Sequence, residues 1–199
     1  MYVPKDFEEL DPAALHALMH ANPLATLVQI VDGAISANHV PLLLDAERGV
    51  LIGHVARANP LWKHPGDTLA IFHGADAYIT PSWYASKQRD GEVVPTWNYA
   101  VVHAHGRLRA IEDRDALRDI VTRQTDTQEG ARRAPWHVTD APAAFVEVLL
   151  RTIVGIEIEI TRLLGKSKLS QNRDAADRAG VVAGLTAEGH PMAHLLRER

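Results

Sequence analysis

Aromatic and hydrogen-bonding side chains are concentrated in two segments near the middle of the chain, residues 78–84 and 95–106. These segments contain two of the four Trp and three of the four Tyr residues, interspersed with Pro, Ser, Thr and Asn. Flat aromatic surfaces beside hydrogen-bonding groups suit a planar ligand with a polar edge. The alternative is that both segments are ordinary strands, because aromatic residues also favour half-buried positions in a sheet. The charged loop over residues 86–92 that joins them indicates the lip of a binding site instead.

Basic residues form two further groups that could bind an anion. Arg57 and Lys63 flank a predicted turn from a strand into a short helix, where backbone amides and two cations would attract a phosphate. Residues 162–173 carry the strongest positive cluster of the chain. A solvated corner and a solvated loop are the simpler interpretations of these two groups.

Residues 38–41, Asn-His-Val-Pro, interrupt a strand that is otherwise apolar. Polar side chains in a buried strand cost free energy unless they find partners, and Pro41 removes a backbone donor from the sheet. Such breaks of local rules often mark functional sites. His16 and His20 lie four positions apart on a predicted helix, but no third ligand is evident, so we predict no metal site.

The composition excludes several kinds of site. The 199-residue chain has no Cys, which rules out disulfides, thiolate metal sites and a cysteine nucleophile. A net charge of −4 provides no overall basic field, so any DNA binding needs a local patch or a partner protein. No apolar run approaches the length of a membrane span, and we expect a soluble, cytoplasmic protein that binds no membrane. Dinucleotide, NTP and nucleophile-elbow motifs are absent from the sequence.

The hydrophobic pattern predicts a chain with more strands than helices. Helices are predicted over residues 12–21, 113–125 and 140–151, and short helices broken at Gly180, Gly184 and Gly189 are predicted after residue 174. Strands are predicted over residues 24–31, 34–44, 50–55, 67–72, 77–80, 98–110 and 154–161. The last strand is expected to be half-exposed because its apolar and polar residues alternate, and residues 126–133 are expected to be mobile.

Several motifs resemble those of a known family, and they occur in the same order along nearly the whole chain. They are Met1-Tyr2-Val3-Pro4 with Phe7, His39-Val40-Pro41, Gly53-His54-Val55-Ala56-Arg57-Ala58-Asn59-Pro60, Ser82-Trp83-Tyr84 with Pro95-Thr96-Trp97-Asn98-Tyr99, and Lys166-Ser167-Lys168-Leu169-Ser170-Gln171-Asn172-Arg173. Together they are similar to the PaiB-type family, the FMN-binding negative transcriptional regulators.

This resemblance implies an FMN-binding split β-barrel, a fold that is mainly β with added helices. It implies a single domain over residues 1–199 with a helical C-terminal extension from about residue 169, and a homodimer that holds FMN between its subunits. The first function it implies is negative transcriptional regulation. The alternatives are an FMN-dependent oxidoreductase acting on a small molecule and, third, a protein that handles haem or another tetrapyrrole.

The resemblance also implies which residues contact FMN. Strand residues 38–41 would run beside the isoalloxazine ring, residues 54–59 with Lys63 would hold the ribityl phosphate, residues 97–99 would complete the wall, and the positive cluster would close the pocket from the same or the facing subunit. The implied cofactor-binding residues are Asn38, His39, Val40, Pro41, His54, Val55, Ala56, Arg57, Asn59, Lys63, Trp97, Asn98, Tyr99, Lys166, Lys168 and Gln171. No residue is assigned a catalytic role, although Tyr99, His39 and His54 could donate protons.

Overall fold

The computed structural model describes residues 1–197, and its secondary structure is mainly β. The strands in this range are β1 Glu8–Glu9, β2 Leu24–Val31, β3 Ala34–Pro41, β4 Leu43–Asp45, β5 Val50–Ala56, β6 Gly66–Ile79, β7 Thr96–Ile111 and β8 Ile153–Lys168. The α-helices in this range are α1 Pro12–Ala21, α2 Ser86–Arg89, α3 Arg114–Glu129, α4 Ala143–Leu150, α5 Ala175–Ala187 and α6 Met192–Arg197. The predicted class, mainly β with added helices, is confirmed. No helix among residues 1–197 is both long enough and apolar enough to cross a membrane.

The strands form one sheet in the order β3-β2-β6-β7-β8-β5-β4, and β1 pairs with β8. The pairings of β2 with β3 and β6, and of β5 with β4 and β8, are antiparallel. Asp32 and Gly33 join β2 to β3 with φ values of 52° and 79°. Positive φ at both central residues is typical of a two-residue hairpin turn, as the Asp-Gly pair predicts.

The chain divides into two compact units. The first unit comprises Met1–Leu18, His73–Val102 and the segment from Leu164 onward, and the second comprises Met19–Phe72 and His103–Leu163. A single domain over residues 1–199 stays a prediction. Helices α5 and α6 lie within the predicted C-terminal extension, whose last two residues, Glu198 and Arg199, lie outside the described range.

The core of the second unit forms where α3 packs on the sheet. Val50 and Ile52 of β5 contact Ile120, and Leu117 on the same helix face packs against residues 138–150. Asp113 begins α3 by accepting a hydrogen bond from the backbone N–H of Ala116 at 2.9 Å. The apolar face predicted for this helix is therefore the buried one, and it fixes the position of the polar residues at its C-terminal end.

In the first unit, α5 is one continuous helix, so the predicted breaks at Gly180 and Gly184 are wrong. The helix crosses Trp83 so closely that a Cβ at Gly180 would overlap the Trp83 carbonyl oxygen, and a Cβ at Gly184 would overlap the indole. The two glycines are therefore packing residues and not helix ends. The buried side chain of Asp177 accepts hydrogen bonds from the backbone N–H and hydroxyl of Ser86, at 2.9 and 2.7 Å.

Four other predicted boundaries differ from the structure. The predicted strands 67–72 and 77–80 are one strand, β6 (Gly66–Ile79), because the backbone stays extended through residues 73–76. The predicted strand 34–44 is divided between β3 and β4, and α3 continues to Glu129 through part of the segment expected to be mobile. Strand β8 continues to Lys168, so the positive cluster begins within a strand.

The half-exposed character predicted for residues 154–161 is wrong for the first part of β8. Val154–Ile158 is buried throughout, including the charged side chain of Glu157. Arg48 donates a hydrogen bond to Glu157 at 2.5 Å, and Arg109 donates two at 2.6 and 2.9 Å. These bonds allow a carboxylate to occupy a buried position that the alternating pattern assigns to solvent.

Candidate functional site

The residues that the sequence predicts for the site lie in both compact units. Residues 38–63 of the set belong to the second unit, and residues 97–99, 166, 168 and 171 belong to the first. Each unit is therefore described by itself.

The second unit contains a cavity of about 580 Å³ next to α3, which we call the α3 cavity. Two predicted site residues, Pro41 and His54, line it. The remaining lining residues are His20, Pro23, Leu24, Leu42, Leu43, Gln124, Thr125, Thr127, Gln128, Glu129 and Trp136. Its volume lies in the range of about 300–1,000 Å³ that is usual for small-molecule sites.

A chain of hydrogen bonds connects His54 to Pro41 through Gln124. The side-chain N–H of Gln124 donates to the Pro41 carbonyl at 2.9 Å, and Oε1 of Gln124 lies 2.7 Å from Nδ1 of His54. The two strands approach closely at this point, since a Cβ at Gly53 would lie 2.6 Å from the Pro41 oxygen. Gly53 and Gln124 together therefore place His54 beside Pro41.

The other predicted residues of β3 and β5 form the surroundings of this chain of bonds. The side-chain N–H of Asn59 donates to Oδ1 of Asn38 at 3.0 Å, which connects the end of β5 to β3. The exposed His39 ring lies 3.3 Å from the Thr26 hydroxyl. Val40 and Val55 are buried core residues, and Ala56 is exposed at the end of β5. Both valine side chains therefore belong to the core, and little of either is accessible to a ligand.

Arg57 is held by the protein itself. Its guanidinium donates to Glu112 at 2.7 Å and to the carbonyls of Arg151 and Ile153 at 3.1 Å each. Its charge is thus paired with a carboxylate, and the side chain helps to fix the chain after β5. A role for Arg57 in phosphate binding stays a prediction, and the structure adds a stabilising role that the sequence did not indicate.

Lys63 differs from Arg57 because no carboxylate in the described range lies within ion-pair distance of it. Its Nζ lies 5.5 Å from the centre of the Trp62 ring, a cation–π contact, and the side chain is exposed. Lys63 also lines a second, more polar cavity of about 520 Å³. Among the predicted cations of the second unit, Lys63 is therefore the one whose charge is available to an anion.

In the first unit, Lys166 is a buried lysine surrounded by aromatic rings. Its Nζ donates to the Tyr2 carbonyl at 3.3 Å and lies 5.1 Å from the Tyr99 ring and 5.8 Å from the Tyr2 ring. The residue is only 8% exposed, and no carboxylate of the described chain lies within ion-pair distance. A buried charge without a counter-charge is costly, so this lysine is a strong candidate for binding an anion.

The remaining predicted residues of the first unit lie near Lys166 along β7 and β8. Lys168 donates to the Thr96 hydroxyl, and Gln171 accepts from the backbone N–H of Leu169 at 2.6 Å. The buried Asn98 donates to the hydroxyl of Ser170 at 2.9 Å, and Ser170 has a φ of 64°. These bonds hold the turn after β8 in one conformation.

Exposed aromatic surface lies on β7 in the same unit. Trp97 is 54% exposed and makes an edge-to-face contact with Tyr78, which is 49% exposed, at a ring-centre distance of 5.9 Å. Trp97 therefore presents a flat aromatic face, as the sequence predicts for a wall against a planar ligand. Its contact with such a ligand stays a prediction.

Sequence reasoning missed most of the residues that line the α3 cavity, among them Gln124 and Trp136. Gln124 lies in the last turns of a helix whose other inward residues are apolar, and a polar residue in that register is the signal that could have found it. Trp136 lies beyond the helix, between the predicted mobile segment 126–133 and the predicted helix 140–151, where no element or site was predicted. Its position depends on contacts with α3 that no local pattern specifies.

The residues present fit FMN. The cofactor combines a planar ring that has a polar edge with a phosphate group of about −1.5 to −2 charge. The exposed face of Trp97 suits such a ring system, and Lys63, Lys166 and Lys168 are cations without a carboxylate partner in the described range. Each unit therefore offers groups of the chemical type that this cofactor needs.

Comparisons with known proteins give the same assignment. A family model described as "Putative FMN-binding domain" matches residues 1–162. An uncharacterized protein of Emericella nidulans is 34% identical over 244 residues, covering 100% of this chain and 97% of that protein. The Bacillus subtilis "Protease synthase and sporulation protein PAI 2" is 32% identical over 203 residues, covering 100% of this chain and 95% of that protein.

Two solved structures show the fold. The flavocytochrome Anf3 of Azotobacter vinelandii matches with a TM-score of 0.62 at 17% identity, covering 89% of this chain and 78% of that chain. The FAD and heme binding protein of Mycobacterium smegmatis matches with a TM-score of 0.62 at 16% identity, covering 89% and 80%. The predicted split-barrel fold is thereby confirmed. The family model spans most of the chain, and both relatives align over the whole length of the chain. The chain therefore belongs to the FMN-binding domain family of PaiB-type proteins, whose cofactor is FMN.

Proposed function

We propose that this protein is an FMN-dependent oxidoreductase that acts on a small molecule held in the α3 cavity. The observation that carries the proposal is this cavity of about 580 Å³, which is lined by Pro41 and His54, two of the residues predicted to contact the cofactor. A cavity of this volume is large enough to hold a small molecule. Such space suits a second molecule.

FMN supplies two-electron chemistry when it is bound, and the chain supplies binding, orientation and exclusion of water. Lys166 and Lys168 of the first unit are the residues we propose for the phosphate, because their charges have no carboxylate partner in the described range. His54 and Gln124 orient a molecule in the cavity through polar atoms at its edge. The apolar residues Leu42 and Leu43 line the same cavity and limit the access of water there.

The proposal is tested by anaerobic reoxidation of the reduced holoprotein. Menadione, a small uncharged two-electron acceptor, is mixed with photoreduced protein while the flavin absorbance is followed. We expect the rate to saturate with menadione concentration, since the acceptor must first occupy a site. Trp136→Ala, which opens the cavity, should raise the half-saturating concentration. Phe145→Ala is the matched control, because Phe145 is 56% exposed in the same unit and does not line the cavity.

Two results would contradict the proposal. A rate that rises linearly with menadione and equals that of free reduced FMN would show that the protein gives the acceptor no binding site. Equal effects of Trp136→Ala and Phe145→Ala would show that the acceptor binds away from the α3 cavity.

Negative transcriptional regulation is the second candidate function. The observation that favours it is the 32% identity over the whole chain to a protein named for protease synthesis and sporulation. The chain has a net charge of −4, so we expect weak binding to random duplex DNA at physiological salt. A regulatory effect would then act through a bound ligand or a partner protein. Tight, steeply salt-dependent binding in a gel-shift titration would instead support direct DNA contact.

We also propose that the protein is a homodimer. The exposed apolar side chains of Ile30 and Ile35 at the β2–β3 hairpin, 74% and 80% exposed, and of Trp97 support this. Covering such residues is a usual role of a subunit interface. Light scattering at micromolar concentration should give about twice the 21.9 kDa mass of one chain. A mass of one chain would contradict the proposal.

A further inference from the structure

Among residues 1–197, no Lys or Arg lines the α3 cavity. The titratable lining residues in that range are His20, His54 and Glu129. The carboxylate of Glu129 is already bound, since it pairs with Arg132 at 3.0 Å and accepts from the backbone N–H of Trp136 at 3.2 Å. An anionic ligand would therefore lose its hydration without gaining a counter-charge, which selects for an uncharged molecule.

The hydrogen bonds of Gln124 determine which atom of His54 remains for a ligand. A carbonyl can only accept, so the Pro41 oxygen fixes the N–H₂ end of the Gln124 amide, and Oε1 must face the histidine. Nδ1 of His54 is therefore the protonated nitrogen of the uncharged ring. Nε2 then carries a lone pair, and it has no hydrogen-bond partner within residues 1–197. A ligand that donates a hydrogen bond would satisfy it.

Trp136 provides a large aromatic surface at the same cavity. The segment that carries it is held to α3 by the two contacts of Glu129 and by His137, whose Nδ1 lies 3.1 Å from Asp126. The indole itself is 47% exposed although it lines the cavity. An exposed ring on a segment held by polar contacts at both sides is positioned to contact an aromatic partner.

We infer that the α3 cavity binds an uncharged, planar aromatic molecule that donates one O–H or N–H hydrogen bond to Nε2 of His54 and contacts the ring of Trp136. Gln124 is the positioning residue, because it selects the tautomer that leaves Nε2 as an acceptor. This inference names the substrate class for the proposed oxidoreductase and rests on that proposed function. It concerns binding alone, so it can be tested with and without FMN.

The experiment uses 2-naphthol as the probe, titrated by fluorescence at about pH 8, where histidine is ordinarily uncharged. The comparison probes are 2-methoxynaphthalene, which lacks the donor, and 2-naphthoate, which is an anion. We expect 2-naphthol to bind about two- to tenfold more tightly than 2-methoxynaphthalene, the usual worth of one neutral hydrogen bond. We expect 2-naphthoate to bind most weakly.

Variants at three positions, with one control variant, identify the residues. His54→Phe should make 2-naphthol and 2-methoxynaphthalene bind equally, because the acceptor is gone while the ring remains. Gln124→Leu should reduce the preference for 2-naphthol, because no acceptor then holds the proton on Nδ1. Trp136→Ala should weaken both naphthalenes alike, whereas Phe145→Ala should weaken neither. A shift of the His54 tautomer in the nitrogen NMR spectrum of Gln124→Leu separates positioning from a general loss of structure.

Other results would overturn the inference. Tightest binding of 2-naphthoate, or an unchanged preference in His54→Phe, would show that the ligand class is wrong. Complete displacement of 2-naphthol by FMN would show that the cavity belongs to the flavin ring. Absence of FMN binding with intact 2-naphthol binding would remove the proposed oxidoreductase function and leave the cavity assignment standing, so the two failures are distinguishable.

Discussion

Replacing Lys166 with Met should weaken FMN binding without destabilising the protein. The side chain is buried, so methionine of similar length can fill its space. The charge that is lost is the one we propose for the flavin phosphate. The substitution therefore tests whether Lys166 contributes to ligand binding or to the stability of the fold.

The contacts of Lys166 give the expected magnitudes. One hydrogen bond from a charged group to the Tyr2 carbonyl stabilises by about 1.5–3 kcal/mol, and the contacts with the rings of Tyr2 and Tyr99 by about 0.5–1 kcal/mol each. Burial of the ammonium group costs several kcal/mol. These contributions nearly cancel, so Lys166→Met should change the free energy of unfolding of the apo protein by less than about 1.5 kcal/mol. Loss of a charge-assisted contact with phosphate should weaken FMN binding by about ten- to a hundredfold.

Denaturant unfolding of the apo protein and fluorescence titration with FMN measure the two effects. Lys87→Met is the matched control, since Lys87 is an exposed lysine of the same unit whose Nζ donates to the Ser82 hydroxyl at 3.2 Å. The control should leave both quantities unchanged. If Lys166→Met binds FMN as tightly as the wild type, the phosphate lies elsewhere. A loss of more than about 3 kcal/mol of apo stability would show that the lysine is a structural residue.

Three further substitutions test other parts of the structure. Burial raises the pKa of Glu157, but hydrogen bonds from Arg109 and Arg48 outweigh it and lower the pKa below its ordinary value of 4.5. Glu157→Gln should therefore lower the free energy of unfolding by about 1.5–3 kcal/mol at neutral pH. The difference in free energy of unfolding between Glu157→Gln and wild type should shrink as the pH falls below 4.5 toward the folded-state pKa, because protonation of Glu157 then removes the same stabilisation from the wild type. A difference that stays constant with pH in urea titrations would contradict the lowered pKa of Glu157. Arg57→Ala should lower the melting temperature of the apo protein, since it removes three hydrogen bonds within the chain, and an unchanged melting temperature would show that these bonds contribute little. Gly184→Ala should cost at least about 1–3 kcal/mol, because its Cβ overlaps the Trp83 indole; calorimetry showing no loss would mean that α5 shifts freely.

Secondary structure was predicted correctly where a pattern within a few neighbouring residues specifies it. The Asp32-Gly33 turn and the apolar face of α3 were predicted because turn chemistry and helical periodicity are encoded within a few residues. The continuous helix through Gly180 and Gly184 was not predicted, since it depends on the closeness of Trp83, nearly a hundred positions away. Long-range packing decides such cases.

The same contrast between local patterns and long-range contacts applies to the candidate site. His54 and Pro41 were named from the motifs, and the structure places both at the α3 cavity. Gln124 was not named, because its hydrogen bonds reach residues 70 and 83 positions away. The pairing of Arg57 with Glu112 was also hidden, since it joins residues 55 positions apart. Sequence reasoning found the cations, and only the tertiary structure shows which of them are already paired.

The affinity of the apo protein for FMN compared with riboflavin tests the central claim most directly. The claim is that this chain holds FMN as its cofactor and binds the phosphate through lysines without a carboxylate partner. Riboflavin has the same ring and ribityl chain but no phosphate, so it measures the ring contribution alone. We predict that FMN binds at least about tenfold more tightly in a fluorescence titration, the worth of one charge-assisted contact. Equal affinities, or no binding of FMN, would contradict the account.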